Sequence, residues 1–146
     1  MRTQSEFVTG CDVVDIARLA EVIDRRPGFV GRVFTERERA DALRGGVEAG
    51  SWTQCSRLAA RFAAKEATRK ALNALDLGFH AVEVRRAGDG APQLWVRGEP
   101  SDLSCSLSHD AGIALAVVVG PGSVRSRVLD QTTGSADPSA EPTPAA

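Results

Sequence analysis

No charge of one sign dominates this sequence. Its 18 basic and 19 acidic side chains leave a net charge of −1, so it lacks the bulk field that draws a protein onto nucleic acid or an anionic membrane. Electrostatic recognition must therefore be local. No apolar run approaches the length needed to span a bilayer, and residues 1–7 lack the apolar core of a signal peptide, so a cytoplasmic protein that crosses no membrane is expected. Cysteine is scarce. Cys11, Cys55 and Cys105 are odd in number, widely spaced and match no zinc pattern, which argues against a disulfide framework and a structural metal. A nucleophile elbow, a paired Cys and His motif and a standard Gly-rich phosphate loop are all missing, which disfavours covalent catalysis through a serine of this chain. Lysine is nearly absent too: sixteen of the eighteen basic residues are arginine, and the two lysines, Lys65 and Lys70, lie in one segment. A lysine is a compact charge on a flexible stem that reaches a phosphate in a crowded site.

What is present reads as one α+β domain over residues 1–122. Residues 7–14 are expected to form a strand in which Gly10 allows close backbone approach. A helix starts at Asp15, carries the stripe Ile16, Leu19, Ala20, Val22 and Ile23, and stops at Pro27 and Gly28. After a short apolar segment at 29–34, Thr35 and Glu38 have the spacing of a capping box, so a second helix starts there. Gly45, Gly46 and Gly50 mark a flexible connection, and residues 56–75 carry the longest helical pattern. The period then changes to that of strands: Val82 and Val84 pair with Leu94 and Val96 around a turn at Asp89, Gly90 and Pro92. Leu103, Cys105 and Leu107 alternate with serines before a turn at 110–112 and the apolar run 113–119. Two antiparallel hairpins are thus expected. Residues 123–146 lose this periodicity and, rich in Thr, Ser, Ala and Pro towards the end, are expected to be an unstructured tail.

On the long helix Arg61, Lys65 and Arg69 form a basic stripe, with Phe62, Glu66 and Lys70 beside it at the same spacing. From spacing alone this is either a solvated face with an i,i+4 ion pair or one half of a charged site. Asp12, at the end of an apolar strand, is costly unless paired, hydrogen-bonded or bound to a metal. It either caps the helix beginning near Asp15 or supplies a second carboxylate to Glu66. Such a pair makes a hard oxygen site of the kind magnesium takes together with substrate phosphates. His109 shares the face of Leu107 and reads as a core histidine or a ligand contact.

The ordered series Gly10-Cys11-Asp12 with Arg18, residues 29–35 with Glu38, Arg61-Phe62-Ala63-Ala64-Lys65-Glu66-Ala67 with Lys70-Ala71, Gly90-Ala91-Pro92, and Ser106-Leu107-Ser108-His109 closely resembles the holo-acyl-carrier-protein synthase family of phosphopantetheinyl transferases. The likeness runs from about Gly10 to Val119. It implies the fold of that family and a magnesium-dependent transfer of 4′-phosphopantetheine from coenzyme A to a serine of an apo acyl carrier protein, serving fatty-acid or polyketide assembly. It further implies Mg2+ on Asp12 and Glu66, with Glu66, Asp12 and Lys70 as the catalytic set and Glu66 or a metal-bound water as the base. Coenzyme A is expected on Lys70, Lys65, Arg61, Ser108 and His109, and the carrier protein on Arg18, with Arg25, Arg26 and Arg32 nearby. A homotrimer with sites between subunits is implied as well. Thr9 and Cys11 depart from the family's usual residues as packing changes, and Asn73 stands where a glycine is common. The alternative is a non-catalytic module that binds carrier proteins on the same scaffold. It would have lost Asp12, Glu66 or Lys70, and all three are present.

Overall fold

A computed structural model describes residues 6–133. Along the chain run β1 (Phe7–Asp15), α1 (Ile16–Arg25), α2 (Phe29–Val33), α3 (Glu36–Ala42), α4 (Trp52–Leu72), a 3-10 turn (Phe79–Ala81), β2 (Val82–Arg86), β3 (Pro92–Val96), β4 (Glu99–Pro100), β5 (Ser104–Asp110), β6 (Ile113–Pro121) and α5 (Ser123–Thr133). The architecture is α+β, as expected. One antiparallel sheet has the order β1-β6-β5 and a second the order β2-β3-β4.

Alternation decides which face of the first sheet is covered. Val8, Gly10, Asp12 and Val14 of β1 face inward with Ala114, Ala116 and Val118 of β6, and α4 packs across them. The helix can lie this close because its inner residues Ala63, Ala64, Ala67 and Ala71 are small and fully buried. Gly10 is required there: a Cβ on it would stand 2.1 Å from the Ala67 carbonyl oxygen and 2.8 Å from the Ala71 nitrogen, inside hard-sphere contact.

The helix ends follow local chemistry. Asp15 caps α1 by accepting from the Arg18 amide at 3.0 Å, which leaves Asp12 free of that task. Thr35 and Glu38 complete a reciprocal capping box on α3. Ser51 caps α4 by accepting from the Gln54 amide, so the helix starts before the expected residue 56, its exposed first turn having carried no apolar stripe. Asn73 stops it in the left-handed conformation, φ 51° and ψ 42°, so the last helical residue is Leu72, three before the expected end. That is a conformation asparagine tolerates better than most residues.

The C-terminal expectation needs correction. Ser123–Thr133 is helical, not an unstructured tail from residue 123. Val124 and Val128, four apart, are buried, and Arg125 donates to the Ala71 carbonyl at the end of α4. Two valines are too weak a periodic signal by themselves, and it is the end of α4 that gives them a surface to cover. Residues 134–146 of the expected tail lie outside the described residues.

Candidate active site

Strand β1 and helix α4 bring together side chains 58 positions apart. Asp12 is inward by parity, and its Oδ1 takes a hydrogen bond from Lys70 Nζ at 2.7 Å. The same ammonium donates to the Cys11 carbonyl at 3.1 Å. The hydrogen bond to Asp12 holds the Lys70 pKa above its usual value, Glu66 one turn back adding to the effect. Glu66 faces Arg69, whose Nη1 lies 2.6 Å from Glu66 Oε1. Asp12 and Lys70, with Glu66 and Arg69 beside them, thus form a partly exposed cluster of two carboxylates and two cations where β1 crosses the last turns of α4. A pair of carboxylates is a donor set suited to a hard divalent cation, and both side chains are partly exposed.

The Asp12 cluster opens onto a groove of about 470 Å³ whose walls include Arg18, Leu19, Val22, Phe29 and Phe62. Arg18, Arg25, Arg26 and Arg32, the candidates for partner contact, are all exposed. They lie along α1, just beyond its end and on α2, and Arg18 also lines the groove.

A separate cavity of about 300 Å³ lies between α4, β2 and β5. Arg61 and His109, two of the candidates for nucleotide contact, line it together with Arg57, Arg85 and Arg86, which sequence reasoning did not single out. The tandem pair ending β2 ahead of the Gly90 turn was the available signal. Burial lowers the Arg61 pKa against the opposing pull of Asp41 and Glu38. His109, the penultimate residue of β5, is exposed and not a core histidine, because its face of the strand borders the open cavity and not the packed interior. Ser108, expected beside it, alternates to the opposite face of β5, across from Leu115, and does not line the cavity.

Lys65 also needs correction. Expected on phosphate, it is fully buried and spends all three donors inside the protein: on Phe79 O at 2.8 Å, Val82 O at 2.5 Å and Glu38 Oε2 at 2.8 Å. Glu38 completes the network by accepting from the Val84 amide and from Thr35 N. Burial lowers the Lys65 pKa and the Glu38 carboxylate works against that shift. Lys65 therefore ties α4 to α3, the 3-10 turn and β2. Its neighbour Glu66, about 100° further round the helix, meets the site.

Arg61 and Glu66 are five residues apart, about 140° round α4. The basic cavity and the carboxylate cluster consequently lie on different sides of the helix, and within one chain they share no lining residue. Among the described residues no helix is long and apolar enough to cross a membrane.

The sequence matches the 4′-phosphopantetheinyl transferase superfamily over residues 9–118. It is 41% identical over 120 residues to the holo-[acyl-carrier-protein] synthase of Frankia alni, covering 75% of this chain and 92% of the relative. The fold is similar to that of the Chronobacterium ammoniagenes ACPS-CoA complex, with TM-score 0.66, 28% identity and coverage of 79% of this chain and 96% of that one. It is also similar to the holo-(acyl-carrier-protein) synthase of Bacillus anthracis in complex with CoA (3′,5′-ADP), with TM-score 0.65, 30% identity and coverage of 78% and 95%. With a match across three quarters of its length, and with Asp12, Glu66 and Lys70 gathered at one place in the fold, the chain belongs to the 4′-phosphopantetheinyl transferase superfamily.

Proposed function

We propose that this transferase moves 4′-phosphopantetheine from coenzyme A to a serine of an apo acyl carrier protein, with Mg2+ held by Asp12 and Glu66. The observation that carries the reading is the Asp12, Lys70 and Glu66 cluster, built from two distant segments beside a groove that Arg18 lines. The curated relatives are holo-acyl-carrier-protein synthases and the similar structures hold coenzyme A, which supports the same donor and acceptor.

Magnesium, when bound, supplies positive charge to the phosphate oxygens as the reaction proceeds. The Lys70 ammonium adds a second positive contact at the pyrophosphate. Glu66 or a water beside it takes the proton of the carrier serine as the serine oxygen attacks the phosphorus next to the pantetheine arm. A phosphorus–oxygen bond forms to the serine, the phosphorus–oxygen bond to the nucleotide breaks, and adenosine 3′,5′-bisphosphate leaves. Arg57, Arg61, Arg85, Arg86 and His109 suit a nucleotide that carries an additional phosphate. The surface of Arg18, Arg25, Arg26 and Arg32 suits an acidic carrier protein.

The basic cavity and the carboxylate cluster must act on one coenzyme A, which a homotrimer with intersubunit sites accomplishes by placing the cavity of one copy beside the cluster of the next. The outer face of the first sheet supports this assembly. Val13, Leu115, Val117 and Val119 form a contiguous apolar patch there, with Val13 59% exposed and Val119 44%, an arrangement that marks an interaction surface.

The test is to incubate the protein with Mg2+, coenzyme A and a panel of apo carrier proteins and to look by mass for the added arm. Glu66→Ala should abolish transfer while the fold and assembly persist; wild-type turnover in that variant would refute the assignment. The panel also identifies the carrier protein that is modified fastest.

A further inference from the structure

Arg69 is held from three sides. Its Nη1 reaches Glu66 Oε1, its Nη2 donates to the Leu75 carbonyl beyond the end of α4, and its guanidinium carbon lies 4.7 Å from the centroid of the Phe79 ring. Phe79 is itself fixed, stacked on Phe62 with centroids 5.7 Å apart. Two of the three tethers are independent of Glu66, so the guanidinium keeps its place whatever Glu66 binds. A planar fork held in this way loses little further freedom in making a carboxylate contact. Glu66, by contrast, is a long flexible side chain with 23% of its surface exposed, and among the described residues only Arg69 hydrogen-bonds to it. A carboxylate has lone pairs on both oxygens. With Oε1 on Arg69, Oε2 stays free of protein hydrogen bonds.

We infer that Arg69 is a positioning residue that anchors the Glu66 carboxylate through Oε1 and thereby presents Oε2 to a divalent cation. The inference rests on the reading of Glu66 as a metal ligand and assigns the group that sets its orientation. Partners that orient a metal's ligands are typically worth 10- to 100-fold in metal affinity. Anchoring and competition predict opposite signs: an Arg69 that merely occupied Glu66 would oppose the cation, and its removal would tighten binding.

The experiment uses Mn2+ as the probe, its free concentration read by electron paramagnetic resonance with saturating coenzyme A present. Arg69→Met keeps the apolar stem over Phe79 and removes the fork, and it should weaken Mn2+ binding by about 10- to 100-fold. Arg69→Lys, able to reach Glu66 or the Leu75 carbonyl but not both, should fall between the variant and the wild type, and it carries the test if the methionine variant does not fold. The metal concentration at half-maximal activity should rise in step, with kcat recovered at saturating Mn2+; a purely structural role would lower kcat without that recovery. Unchanged or tighter Mn2+ binding in both variants overturns the anchor while leaving the metal reading intact. Wild-type Mn2+ affinity in Glu66→Gln, or none in the wild type, overturns the metal reading and the anchor with it.

Discussion

Lys65 and Lys70 differ by five positions and have opposite roles. Lys70, in the last turn of α4, is partly exposed and pairs with Asp12 of β1, whereas Lys65 points into the protein and pairs with Glu38 out of contact with solvent. Removing one partner of a buried pair strands the other charge. Lys65→Ala should therefore cost about 3–5 kcal/mol, measured by urea unfolding, and the double replacement Lys65→Met with Glu38→Leu should recover only part of it, because the Val84 amide and the Phe79 and Val82 carbonyls lose their partners. Cys105 offers a second residue-scale test. Burial raises its thiol pKa to about 11 from an ordinary value of 9.0. Between those values the folded thiol keeps its proton while the unfolded chain has lost it, so this contribution to stability is whole below about pH 9 and declines as pH rises through about 11. The sequence contains no tyrosine, so no phenol ionises in the same window. The fall in urea midpoint over that range should be shallower in Cys105→Ala than in the wild type.

The contact between β1 and α4 is where the element scale decides the site, because both carboxylates depend on the separation of these two backbones. Gly10 and the buried alanines of α4 set that separation. Gly10→Ala places a methyl group against the Ala67 carbonyl and must push the helix away, an overpacking cost of about 1–3 kcal/mol or more. The same displacement parts Lys70 from Asp12. Transfer should accordingly fall even at temperatures where circular dichroism finds the variant folded; wild-type activity would show that the contact has slack. The α3 cap is a milder case. Thr35→Ala loses one capping hydrogen bond, about 0.5–2 kcal/mol, and Glu38 keeps its other partners.

At the scale of the whole molecule, the open question is how the arginine-lined cavity and the carboxylate cluster meet. If copies pack through the outer face of β1 and β6, Val117→Glu buries a charge in that interface. It should yield a monomer by analytical ultracentrifugation that retains its helical content but transfers no phosphopantetheine; an intact trimer would remove the face from the assembly. Arg18→Glu tests the docking surface. It should raise KM for the carrier protein several-fold with kcat little altered, and an unchanged dependence on carrier concentration would end the role assigned to that arginine.

Much of the fold was legible because it is written in short-range chemistry. The strand at residues 7–14, the alternation of β5, the capping box at Thr35 and the close approach at Gly10 each depend on a few neighbouring residues, and the structure has all of them. Asp12, Glu66 and Lys70 stood out in one dimension as an acid at the end of an apolar strand and an acid flanked by cations, but spacing left a solvated face or a helix cap open, and only the family resemblance gave them roles. What a side chain faces across the core is not a local property. Lys65 and Glu66 are neighbours in one basic stretch, and only the packing of α3, the 3-10 turn and β2 against one side of α4 buries the first and leaves the second at the site. The exposure of His109, the turn of Ser108 to the other face, the gathering of Arg57, Arg85 and Arg86 into one cavity and the helix at Ser123–Thr133 were likewise decided by tertiary contacts, because each depends on a surface that another segment supplies.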